Sequence, residues 1–111
     1  MKKSILFLFV MVSLLCQSCI INNPKPEDCE IKTITVNRIY EGGTYDIVFA
    51  EANGSFYYIN RGLEQGLTLE DLSNKVLNKK VTLHLAKVMM GSTSNHIAQL
   101  AVADEVIFSE F

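Results

Sequence analysis

The pair Asn53-Gly54 constrains this chain most, because it stands between two short runs rich in β-branched and aromatic residues, Tyr45–Glu51 and Ser55–Asn60. An Asn-Gly pair readily takes the positive φ angles of a tight hairpin turn, so the two runs are predicted to be antiparallel neighbours. Alternation puts Ile47 and Phe49 on one face of the first run and Val48 and Ala50 on the other. In the second run, Phe56 and Tyr58 oppose Tyr57 and Ile59. A further strand precedes them, from Ile31 through Arg38-Ile39-Tyr40. Glu41-Gly42-Gly43-Thr44 reads as the turn after it, with the glycines expected at positive φ.

Arg61–Gly66 breaks this sheet pattern, and a helix is predicted over Leu69–Asn78. Thr68 can cap it with Asp71 three residues on, Leu69, Leu72 and Val76 share a face, and Lys75, Lys79 and Lys80 suit its C-terminal end. Val81–Val88 follows as a strand with Val81, Leu83 and Leu85 inward. Gly91–Asn95 is expected as a polar loop, His96–Ala103 as a strand, and Val106–Ser109 as a last short strand. With 111 residues, 49% hydrophobic and 20% charged, the chain suits one small globular domain.

The N-terminus has a different character. Lys2 and Lys3 precede an apolar run, Ile5–Leu15, broken only by Ser13. Such a run extends only ~16 Å as a helix, against a hydrocarbon thickness of ~30 Å, so it reads as an export signal rather than a membrane span. Ile20–Glu30 is polar and holds both prolines, as a tether would. Without Lys2 and Lys3 the formal charge falls from -2 to -4, which disfavours nucleic acid as a partner.

Ser18-Cys19 at the end of this leader resembles the lipobox of bacterial lipoproteins, with Ser18 in the small position and Cys19 as the lipid acceptor. Cys16 stands where that family usually has leucine. The resemblance implies a signal peptide over residues 1–18, a tether over 19–30, a domain over 31–111, and a lipid anchor at Cys19. It places the protein in the bacterial cell envelope; the alternative is a periplasmic or secreted protein cleaved at the same bond. The element order β-β-β-α-β-β resembles the OB fold, a small five- to six-stranded barrel with one helix between its third and fourth strands. The order Asn60-Arg61-Gly62, helix, Lys79-Lys80-Val81 is also similar to small bacterial lipoproteins of unknown function.

Candidates for chemistry are few. Alternation points His84 outward as a solvated residue, and His96, after a polar loop, is expected in a capping or loop role. Ser92, Thr93 and Ser94 lack a nucleophile elbow, and Asp28 and Glu30 flank Cys29 with charge that raises a thiol pKa. The CxxC spacing Cys16-Gln17-Ser18-Cys19 belongs to the end of the leader and Cys29 stands apart from it, so no metal or cofactor is expected and the protein is read as a non-enzyme. The remaining signal is aromatic. The OB resemblance implies a ligand surface on the outer face of the second and third strands, where Tyr57, Arg61 and Tyr45 are the candidate binding residues. The expected function is a membrane-anchored binding module for a protein or glycan; the alternative is a structural or inhibitory protein acting by sheet-edge pairing.

Overall fold

The computed structural model describes residues 24–88 and 91–111, so the leader, Cys16 and the lipidation candidate Cys19 lie outside the described residues. The described chain is mainly β, with one α-helix: β1 (Cys29–Thr35), β2 (Arg38–Glu41), β3 (Ile47–Ala50), β4 (Phe56–Ile59), α1 (Leu69–Val76), β5 (Lys80–Lys87), β6 (Thr93–Val102) and β7 (Glu105–Ser109). The seven strands form one sheet in the order β1-β5-β6-β4-β3-β2, with β7 also on β6, and this sheet is not closed.

The strand expected over 31–40 is two strands divided at Val36-Asn37. The Val36 N–H donates to the Lys79 carbonyl at 3.1 Å, and the Val36 carbonyl accepts from the Asn78 N–H at 2.7 Å. Asn37 turns the other way and donates to the Ala50 carbonyl at 2.7 Å. One chain thus serves two neighbours: β1 pairs with β5, from Cys29 opposite Ala86 to Thr35 opposite Lys80, and β2 pairs with β3. Asn78, at φ 63, makes the bulge opposite Val36, a conformation asparagine tolerates better than most residues.

The Asn53-Gly54 hairpin forms as expected, β3 pairing with β4 from Ile47 opposite Ile59 to Ala50 opposite Phe56. Only Gly54 takes the positive φ, at 93°. The Glu51 carbonyl accepts from the Gly54 N–H, and the Glu51 N–H donates to the Ser55 carbonyl, which makes a three-residue loop. In the preceding turn the expectation for Gly42 and Gly43 fails: positive φ falls on Thr44 and Tyr45. Gly42 is needed instead for space, since a Cβ there would lie 2.8 Å from Val48 Cγ2.

Thr68 caps α1 by accepting from the Asp71 N–H at 3.1 Å, and the helix buries Leu72 and Val76. They meet Val81, Leu83 and Leu85 of β5 together with Ile47, Phe49 and Ile59 in one core. β6 starts at Thr93, so the expected polar loop is shorter: the Ser94 hydroxyl bonds back to the Ala86 carbonyl and extends the strand. Among the described residues, no helix is long and apolar enough to cross a membrane.

Candidate functional site

Strand length decides where this sheet is open. β3 and β4 have 4 residues each, whereas β1 has 7 and β6 has 10. The hairpin therefore turns back at Glu51 while β1 runs on, and a seam is left between β1 and the hairpin tip. A groove of about 660 Å³ lies along Thr33–Thr35 and Glu51–Asn53. A second, of about 480 Å³, lies along Glu30, Lys32, Ser55–Tyr57 and Thr93–Asn95, and Asn53 lines both. The tip is held by the Ser55 N–H donating to Asn53 Oδ1, and by Asn95 Nδ2 donating to the Phe56 carbonyl.

Tyr57 lines this seam, but it does not stand on the outer face beside Arg61 as expected. It is 5% exposed and shares the core face with Ile59 and Phe49. Its hydroxyl donates to Glu51 Oε2 at 3.2 Å, and Lys32 Nζ covers its ring at 5.4 Å from the centroid. The Tyr57 phenol beside its ammonium holds Lys32 above its usual pKa. Phe56, on the opposite strand face, is 48% exposed.

Tyr45 and Arg61 do come together, at the other end of the hairpin, where Ile47 pairs with Ile59. The Arg61 N–H donates to Asp46 Oδ1 at 2.8 Å, tying the turn before β3 to the turn after β4. Arg61 Nε meets Glu64 Oε2 at 2.8 Å in an exposed ion pair. Thr44, Tyr45 and Arg61 all hold positive φ, at 53°, 64° and 50°, a conformation that costs non-glycine residues about 1–3 kcal/mol each. The structure thus divides the three candidates: Tyr45 and Arg61 on one strained, exposed ledge, Tyr57 inside at the seam.

Both histidines differ from their expected settings. His96 is buried at 9% exposure, and its Nε2 stands 2.9 Å from both Glu110 carboxylate oxygens, so Nε2 carries the hydrogen. Tyr58 meets the same ring edge-on at 5.7 Å, and burial, with Asp46 and Glu110 adding to it, pushes the Tyr58 phenol pKa up. His84 is half-buried rather than solvated, because Phe111 packs edge-on to it at 5.5 Å; its buried Nδ1 has no hydrogen-bond partner among the described residues. Burial first, then Asp28 and Glu110, raises the Cys29 thiol pKa. Sequence reading missed this arrangement because Glu110 and Phe111 fold back from beyond β7, and nothing in local spacing signals it.

Among the described residues, no three His, Cys, Asp or Glu side chains gather as a metal site would require. Compared with known protein families, curated proteins and solved structures, the chain matches none.

Proposed function

We propose that this chain is a lipid-anchored protein of the bacterial cell envelope whose OB-like barrel holds a partner at the seam between β1 and the β3–β4 hairpin. The barrel reading is supported by the sheet path, which starts and ends on β1 and β2, two strands separated by only Val36 and Asn37. Counted as one bent strand they leave five strands in that path, with α1 between β4 and β5, as in a partly open five-stranded barrel. The anchor reading rests on the leader and on Ser18-Cys19. The partner site rests on one observation above all: two adjoining grooves, sharing Asn53, open onto an exposed strand edge and a lysine-capped tyrosine.

Two experiments test this. Intact-mass analysis of the protein from its native host is expected to show cleavage before Cys19 and added acyl mass, and Cys19→Ala is expected to leave the membrane fraction. Unchanged partitioning of that variant refutes the anchor. For the site, capture of partners from envelope extract is expected to weaken with Lys32→Ala and with Phe56→Ala, both exposed and both at the seam. Capture that survives both refutes the site. The strained Tyr45–Arg61 ledge favours a second location for the partner, and loss of capture in Tyr45→Ala and Arg61→Ala, with the seam variants intact, selects it.

A further inference from the structure

We infer that the occupant of the seam is an extended peptide, which adds to the free edge of β1 along residues 31–35; this rests on the seam reading above and names its partner class. The bonds of Val36 run toward β5, and those of Asn37 run the opposite way, to Ala50 on β3. In an antiparallel ladder the direction alternates residue by residue. Lys32 and Ile34 therefore face β5 with their backbone groups, as Val36 does, while Thr33 and Thr35 face away, as Asn37 does. Beside β2 that outward row is met by β3. Beside β1 the hairpin has already turned back, and the row opens into the groove lined by Thr33–Thr35 and Glu51–Asn53. Among the described residues β1 pairs with β5 alone, so this outward row has no strand beside it.

Outward N–H and C=O groups repeating every second residue, at about 6.6 Å, match another extended peptide backbone. The hydroxyls of a glycan do not repeat that donor and acceptor order. Lys32 determines which peptide. Its side chain points inward over Tyr57, as guard lysines do at edges that must not pair indiscriminately, and it makes no ion pair among the described residues. A carboxylate on the entering strand, facing Lys32, turns the guard into a contact, while apolar residues two places either side reach the buried Ile34 and the tyrosine ring.

The test is amide hydrogen exchange and NMR titration of the full chain with the capped peptide Thr-Val-Thr-Glu-Thr-Val-Thr. Its twins are N-methylated at alternate residues, in both registers. In the free protein the Thr33 and Thr35 amides are expected to exchange on the order of tenfold or more faster than those of Lys32 and Ile34. The peptide is expected to shift and slow them, and at least one twin to lose the effect. Thr33→Pro removes one outward N–H without touching the β5 ladder, so it is expected to fold and to lose the response. The inference is overturned if Thr33 and Thr35 are already as protected as their neighbours. It is equally overturned if the peptide moves neither amide at millimolar concentration, or if both twins act like the parent. Any of these results alongside envelope capture that still depends on Lys32 and Phe56 refutes the peptide and leaves the seam; capture indifferent to both refutes the seam itself.

Discussion

Gly62 offers the sharpest measure of how closely the turn after β4 packs on the sheet. The residue is buried, and a Cβ built on it would lie 2.7 Å from Ile47 Cδ1, 3.0 Å from Ile47 Cγ1 and 3.1 Å from Ile59 Cγ2. Carbon atoms in good contact stand about 3.5–4.0 Å apart, so Ile47 must retreat by close to 1 Å at its nearest atom. It has nowhere to go, because Ile47 and Ile59 are both fully buried and face each other across the β3–β4 ladder. Forcing one extra carbon into such a place costs about 1–3 kcal/mol. In a domain of this size each kcal/mol lowers the melting temperature by roughly 4–8 °C. Two other glycines calibrate the result. Gly43→Ala meets nothing within 4 Å and has no positive φ, so it is expected to stay within about 0.5 kcal/mol of the parent. Gly66→Ala is also uncrowded but sits at φ 85, and is expected to cost about 1 kcal/mol from backbone strain alone. Chemical denaturation followed by circular dichroism ranks the three. If Gly62→Ala unfolds together with Gly43→Ala, the close approach of this turn to Ile47 and Ile59 is wrong.

Three further outcomes are expected. Glu110→Ala leaves the buried His96 Nε2 without its acceptor and is expected to destabilise the fold by about 1–3 kcal/mol, whereas Glu64→Ala, which breaks only the exposed pair with Arg61, is expected to cost under about 1 kcal/mol; equal denaturation midpoints contradict the assignment. Tyr45→Gly relieves a positive φ at an exposed residue and is expected to raise the melting temperature, so a fall there removes the strain argument. The raised Cys29 pKa means less thiolate in the folded protein than in the unfolded one at pH 8, and stability from this group is present below the unfolded thiol pKa and lost as pH rises through the folded one. Alkylation by iodoacetamide is accordingly expected to be slower in the native protein than in denaturant and to climb at higher pH; a native rate that is already faster at pH 8 reverses the sign.

The elements that rest on neighbouring residues were legible in the chain itself. Asn53-Gly54 announced its hairpin, Thr68 and Asp71 announced the helix start, and the inward set Val81, Leu83 and Leu85 followed from alternation alone. Alternation failed as a guide to exposure wherever both faces of a strand are covered. Ile47, Val48, Phe49 and Ala50 are all buried, and His84 and His96 lost their solvent to Phe111 and Glu110, which are distant in sequence. The glycine rule failed too: Gly42 is needed for the approach of Val48, and the positive φ falls on Thr44 and Tyr45.

The seam shows what kind of property escapes a reading of single segments. No residue in β1 marks it as an open edge: Ile31, Thr33 and Thr35 are ordinary strand residues, and the same chain just beyond the bend pairs with β3 as β2. The edge exists because a hairpin with 4-residue strands lies against a strand that changes partner at Val36-Asn37 and continues for 7 residues on the other side. Continued at the register that sets Arg38 opposite Ala50, β3 would have to run about five residues further to lie alongside Thr35 and Thr33 and fill the gap from within. The opening is therefore a consequence of unequal strand lengths around one bend. That is also why Tyr57, picked out from the sequence as a surface aromatic, ends on the inner face yet lies beside a groove where a lysine, rather than another strand, covers its ring.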